Sequence, residues 1–294
     1  MNPCVILNPI AGSVTNVKQV LKELEALNPA AVHVTQKPGD ALRFAEAATR
    51  DHCDYIIAAG GDGTLNEVIN GSAHASDRIR IGLLPLGTGN DFARSLRLPP
   101  TIKENIAILG TAKTRPIDLV RVRSDQERFF VNVSAGGFSG LVDEKLTPEI
   151  KRSWGPLAYV RSAAAALSEM HAYKTDLGFA NGEKLSLELY NVVVANAIYV
   201  AGGLPVAPEA DPADGLLDII LIPKLSAPEI VVLTAQILLG NHLGSQAIIF
   251  RRTKHLSVNS NPGMWFNADG ELVGHEPAVF EIIPHALQFV VGHE

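Results

Sequence analysis

Apolar positions recur with two different periods along this chain, and the change of period divides it. Before residue 113, short apolar runs alternate with helical stretches. Cys4–Leu7, Ala31–Thr35, Tyr55–Ala59 and Ile79–Leu84 read as strands. Between them, Val17, Val20, Leu21, Leu24 and Leu27 share one helical face, Asp40–Arg50 is an alanine-rich helix, and Leu65–Ala73 is a third helix. This alternation predicts a parallel sheet covered by helices on both faces, with ligands beyond the carboxyl ends of the strands. Past residue 113 strands dominate. Thr114–Arg123 and Arg128–Ala135 alternate as half-buried strands around the polar Ser124–Glu127, and a helical interlude covers Leu157–Met170. Leu185–Leu189, Val192–Ala197, Leu217–Ile222, Leu256–Val258, Val279–Ile283 and Leu287–Val291 read as further strands. The expected fold class is α/β plus β. An N-terminal three-layer α/β domain with a parallel sheet (1–120) precedes a C-terminal, mostly antiparallel β-sandwich domain (121–294), and the site is expected in the cleft between them. The pattern leaves open whether Leu287–Val291 returns to the first domain.

Composition narrows the function. Of 294 residues, 47% are hydrophobic and 19% charged, enough apolar material for sizeable cores. The net charge of −6 argues against nucleic acid as a main partner, although Arg251, Arg252 and Lys254 leave room for a local basic patch. Cys4 and Cys53 have no metal-ligand spacing and are expected to be buried, reduced thiols. No signal peptide is evident, and the apolar run Ile230–Leu239 is too short to span a bilayer. The expected location is cytoplasmic, with peripheral contact to a membrane.

Two glycine-rich turns carry the chemistry. Residues 60–71 read GGDGTLNEVING and residues 85–92 read PLGTGNDF, each after a strand-like run and before a plausible helix start. Such turns bare backbone N–H groups and let a phosphate approach the main chain without Cβ clashes. Asp62, Glu67 and Asp91 lie within them, which suggests a nucleotide site where metal ions offset phosphate charge. A dinucleotide fingerprint fails, because Asn66 stands where its third glycine belongs.

The two turns together resemble the diacylglycerol kinase catalytic domain family, in particular the bacterial soluble lipid kinases; the first motif alone is shared with NAD kinases. Asn8-Pro9 with Gly12, Asp118, SAGGFSG at 134–140, DPADGLLD at 211–218 and NADGE at 267–271 follow in the family's order. The resemblance implies an ATP site formed by Asn8, Thr35, Gly60, Gly61, Asp62, Gly63, Thr64, Leu65, Asn66 and Glu67, with Gly87, Thr88, Asn90 and Asp91 from the second turn. Asp62 would organise water and Mg²⁺ around the phosphates. Lys151 would stand near the phosphates, where Ser13 occupies a position that is basic in some relatives. Asp91 could instead cap the helix that follows it. A structural Mg²⁺ would sit in the loop of Asp211, Asp214 and Leu216, for which a solvated acidic turn is the alternative. Glu271 would be the base that takes the proton from a lipid hydroxyl, with Asp269 orienting it or holding a water.

The reaction so implied is transfer of the γ-phosphoryl group of ATP to a lipid alcohol. Diacylglycerol, phosphatidylglycerol, a ceramide-like base and an undecaprenol-like alcohol all remain open as acceptors. Trp154 and the Met264-Trp265-Phe266 cluster are candidates for a membrane-facing rim, with core packing the alternative for the latter. An exposed edge strand could mediate a homodimer. The rival readings are a soluble-substrate kinase of the NAD kinase type and a non-catalytic nucleotide or lipid sensor.

Overall fold

A computed structural model describes residues 3–51, 53–75, 79–137, 171–275 and 277–291. Lys151, Trp154 and the helical pattern Leu157–Met170 lie outside them. In the first lobe, β1 (Pro3–Leu7), β2 (Ala31–Val34), β3 (Tyr55–Gly60) and β4 (Arg80–Pro85) form a parallel sheet in the order β2-β1-β3-β4. Alternate strand residues face opposite sides. Val5, Leu7, Ile57 and Leu84 pack against α1 (Val17–Leu24) and α5 (Ile102–Thr111), through Val20, Leu24, Ile106 and Leu109. Cys4, Ile6, Ile56, Ala58 and Ile81 pack against α2 (Asp40–Arg50) and α3 (Asp62–Ser72). The short α4 (Asp91–Ser95) follows the second glycine turn. Cys4 and Cys53 are joined by a disulfide with Cα atoms 6.6 Å apart, which corrects the expectation of reduced thiols. β1 beside β3 brings the start of both strands together, so the two cysteines meet across 49 residues of sequence.

The second lobe is built from antiparallel strands: β5 (Thr114–Arg123), β6 (Glu127–Phe130), β7 (Val133–Gly137), β8 (Tyr173–Phe179), β9 (Lys184–Ala195), the small hairpin of β10 (Tyr199–Val200) and β11 (Leu204–Pro205), β12 (Leu217–Pro223), β13 (Ile249–Thr253), β14 (His255–Asn261), β15 (Phe266–Ala268), β16 (Glu271–Gly274) and β17 (Ala278–Val290). Their inner faces close on a core in which Phe280 meets Phe130 and Phe266 edge-on. β17 joins the lobes. It runs antiparallel to β5 over nearly its whole length, while Gln288 and Phe289 pair in parallel with Arg80 and Ile81 of β4. The last strand therefore does return to the first sheet. Its register breaks between Ile283 and Leu287, where His285 takes φ 55°. The buried Asp118 of β5 holds that break, accepting the amides of His285 and Gly215 at 2.7 Å each.

Two pairs of expected strands merge: Leu185–Leu189 with Val192–Ala195 in β9, and Val279–Ile283 with Leu287–Val290 in β17. The apolar run Ile230–Leu239 belongs to a helix, α6 (Ala227–Leu239). A capping box of Ser226 and Glu229 starts it, and Gly240 at φ 70° ends it. Among the described residues, no helix is long and apolar enough to cross a membrane.

Candidate active site

β1 and β3 are neighbours whose chain continues to opposite sides, so their tips border the crevice where such sheets bind ligands. The turns after these strands and after β4 are tied together there. Asn8 donates from its backbone N to Ala59 O at 2.9 Å and from Nδ2 to Thr64 Oγ1 at 3.3 Å. Ser13 donates to Leu86 O from both its backbone N (2.9 Å) and its Oγ (2.8 Å). It is thus a strut between the first and third turns. Gly61 and Gly87 lie backbone against backbone: a Cβ on Gly87 would stand 2.5 Å from Gly61 Cα and 2.8 Å from Asn90 Oδ1. The glycines are therefore required by close approach. Asn90, at φ 52°, closes the second turn by accepting from Gly87 N and donating to Gly87 O.

The acids of the motifs hold backbone amides. Asp62 accepts from Asp91 N (3.2 Å) and Phe92 N (3.3 Å), the first amides of α4. Glu67 accepts from Gly39 N and Ala41 N (2.9 Å each) and Leu42 N (3.3 Å), capping α2, whose own N-cap Gly39 has no side chain to do so. Asp91 does not cap its helix by its side chain: Oδ2 accepts from Gly202 N at 2.9 Å, and the buried Oδ1 has no partner. Burial, followed by the nearby Asp62 charge, pushes its carboxyl above the usual carboxylate range against the opposing amide bonds.

A cavity of about 660 Å³ opens at these tips. It is lined by residues 8–12, residues 34–38, Ala41, Gly61, Gly63, Thr64, Glu67, Gly87 and, from the second lobe, Glu271. Thr88 borders it through Gly12, where a Cβ would strike the threonine hydroxyl. Leu65 and Asn66 do not belong to its wall. Leu65 is core, and Asn66 turns to the other lobe, donating to Phe129 O. Lys37 and Ile10 line the cavity without having been singled out in the sequence, although Lys37 sits inside the HVTQKPGDA stretch that contains Thr35.

The local sequence explains how Glu271 arrives there. Asp269 (φ 49°) and Gly270 (φ 88°) form a two-residue hairpin turn between β15 and β16, and the next residue is presented at the cavity. Asp269 also anchors the turn. Its carboxylate accepts the amides of Val131 (3.1 Å), Asn132 (3.1 Å) and Val133 (3.0 Å). Desolvation raises its pKa to about 6 against the lowering effect of these bonds and of Asn66.

The acids of the loop after β11 are paired with arginines. Asp211 pairs with Arg115 (2.8 Å), Asp214 with Arg252 Nη2 (2.5 Å), and the buried Asp218 with Arg252 Nε (2.6 Å). The second oxygen of Asp214 accepts Leu216 N. Among the described residues, no group of three or more His, Cys, Asp or Glu has metal-holding geometry. As folded, the acids of this loop face the guanidinium groups of Arg115 and Arg252. Arg251 likewise pairs with Glu183, so the anticipated basic patch is largely neutralised. Of the rim cluster, Met264 and Phe266 are buried; Trp265 is exposed and stacks on His275 at 4.5 Å.

A cavity bedded on glycine turns and faced by a carboxylate from a β-sandwich lobe is the arrangement expected from the resemblance to the lipid kinase and NAD kinase class. Comparison with known proteins narrows the class. The diacylglycerol kinase catalytic domain matches residues 2–122, and the YegS C-terminal NAD kinase beta sandwich-like domain matches residues 132–291. The chain is 32% identical over 300 residues to a diacylglycerol kinase of Bacillus subtilis, covering 99% of this chain and 96% of the relative. It is 32% identical over 284 residues to one of Staphylococcus haemolyticus, covering 94% and 84%. A crystal structure of a diacylglycerol kinase from Bacillus anthracis superposes with a TM-score of 0.74 at 21% identity, covering 99% of this chain and 97% of the other. At that identity the likeness speaks for the fold alone. The chain belongs to the diacylglycerol kinase family.

Proposed function

We propose that this protein transfers the γ-phosphoryl group of ATP to the hydroxyl of a diacylglycerol, with the reaction in the cavity between the lobes. The observation that carries this reading is the shared lining: the glycine turns of one lobe and Glu271 of the other face the same space. The turns at Asn8–Gly12, Gly60–Gly63 and Gly87–Asn90 bring the main chain to the phosphates, although the amides of Asn8, Ile10, Ala11 and Gly87 are already bonded within the protein. Lys37 on the cavity wall supplies a cation that Ser13 does not, with Lys151 as a further candidate.

The donor set suits a hydrated Mg²⁺. Asp62 keeps free lone pairs beside its two amide bonds. Asp62 would hold the ion's water shell, and the ion would offset the phosphate charge. Glu271 accepts the proton of the acceptor hydroxyl late, once its oxygen has begun to bond to phosphorus. Asp269 positions Glu271 by fixing the hairpin on β7. Catalysis then rests chiefly on alignment and charge neutralisation.

Labelled ATP offered with diacylglycerol, phosphatidylglycerol, ceramide, undecaprenol and NAD tests this. Phosphatidic acid is the expected product; labelled NADP with no labelled lipid would overturn the assignment.

A further inference from the structure

Glu271 stands on a strand with few supports. β16 has four residues and lies at the edge of its sheet, where among the described residues it pairs with β15 alone. Three residue pairs make that ladder, and its register breaks between Phe266 and Asn267. Glu271 and Leu272 are exposed, so Val273 is the one β16 side chain that packs in the core. So short a ladder holds weakly by itself. Asp269 fixes its turn end through the amides of residues 131–133.

The open end is met by three side chains from separate segments. Asp125 sits at the tip of the β5–β6 hairpin, which Ser124 N closes by donating to Gln126 O at 3.0 Å. Its Oδ2 accepts from His275 N at 3.2 Å and from His275 Nδ1 at 2.8 Å. A carboxylate only accepts, so the ring carries its proton on Nδ1. Trp265 lies over that ring, with centroids 4.5 Å apart and planes 13° from parallel. Met264 and Phe266 are buried on either side of it, so the outward turn of Trp265 is spent on this stack. Gly274, at φ 153°, passes close enough that a Cβ on it would lie 2.6 Å from the Asp125 side chain.

We infer that Asp125, His275 and Trp265 are positioning residues for Glu271: they clamp the open end of the hairpin whose turn Asp269 fixes, so the carboxylate is aimed from both ends of its strand. The inference rests on the reading of Glu271 as the base. Four residues of extended chain separate His275 from Glu271, about 13 Å, so the cluster touches no reacting atom. Its effect is on alignment. A displacement of about 1 Å can cost a reaction about a hundredfold in rate, and an edge strand fixed at one end only is free to fray.

The test compares Asp125→Ala with Asp125→Asn, each alone and combined with Glu271→Gln, in the full chain with diacylglycerol and labelled ATP. Asp125→Ala should lower kcat about tenfold or more, with KM for ATP within about twofold because the nucleotide turns belong to the other lobe. Both bonds end on one oxygen, so the asparagine carbonyl can accept them and should restore the rate to within about threefold of wild type. Trp265→Ala should act in the direction of Asp125→Ala, and Trp265→Phe, which keeps a stacking ring, should not. In the Glu271→Gln background Asp125→Ala should cost nothing further. Amide hydrogen exchange over residues 271–275 should quicken about tenfold or more in Asp125→Ala. A wild-type rate for Asp125→Ala would overturn the inference. So would an equal loss in both backgrounds, which is what general destabilisation gives. If Glu271→Gln were itself fully active, the base reading would fall; faster exchange in Asp125→Ala would then uphold the clamp on the hairpin, and unchanged exchange would remove the clamp as well.

Discussion

Glu67 lies on the nucleotide motif, yet its carboxylate is spent on α2, and replacing it by alanine separates the two roles. Gly39 N, Ala41 N and Leu42 N would lose their acceptor together. Gly39 is exposed and water can replace the bond, so that amide costs little. Ala41 is 2% exposed, and its N–H sits at the base of the cavity, where a replacement water reaches it incompletely. One largely unsatisfied amide costs about 1–2 kcal/mol. Loss of a negative charge at a helix N-terminus adds about 0.5–1 kcal/mol. The expected destabilisation of Glu67→Ala is therefore about 1.5–3 kcal/mol, read from urea unfolding followed by fluorescence and circular dichroism. Glu67→Gln keeps one acceptor oxygen but turns an NH₂ group toward a backbone donor, so it should fall between the two. Because residues 34–38 precede α2 and line the cavity, KM for ATP should rise more than kcat falls. A Glu67→Ala protein within about 0.5 kcal/mol of wild type would refute the capping assignment.

Three further outcomes follow from the same geometry. Gly87→Ala forces a methyl into the Gly61 backbone and should weaken ATP binding at least about tenfold; calorimetry showing wild-type affinity would contradict the close packing of the turns. Asp269 has a folded pKa of about 6, above its ordinary 3.8, so its neutral form favours the fold. That contribution is complete below pH 3.8 and is lost as pH rises through 6, at most about 3 kcal/mol. Asp269→Asn should remove that slope from the pH dependence of the urea midpoint, and an identical slope in both proteins would contradict it. Arg252→Met leaves the buried Asp218 unpaired and should cost about 2–3 kcal/mol, read from thermal melting; melting unchanged from wild type would contradict the pairing.

Much of this fold was legible because its signals are local. Strand–helix alternation and the glycine turns announced the parallel sheet and the cradle at its tips. What stayed hidden depends on distant partners. Glu67 and Asp62 cap helices other than their own, and no local spacing reveals a cap supplied from another segment. The bonds from Asn66 and Asn70 to the backbone of Phe129 tie the first motif to the other lobe across about 60 residues of sequence. Tyr190-Asn191 and Pro284-His285-Ala286 looked like strand ends, yet pairing on both sides carries β9 and β17 through them. The arginines of the acidic loop come from β5 and β13, so DPADGLLD alone could not distinguish ion pairs from a metal cage. Helix α6 is a different case: its capping box and terminal glycine were readable, but a run rich in β-branched residues concealed its period.

The central claim is that a carboxylate on the sandwich lobe serves a nucleotide bound by the other lobe. The direct measurement is the rate of diacylglycerol phosphorylation by Glu271→Gln beside its affinity for ATP. Affinity should stay within about twofold while the rate falls by roughly a hundredfold to ten-thousandfold. Full activity with normal ATP binding would contradict the account.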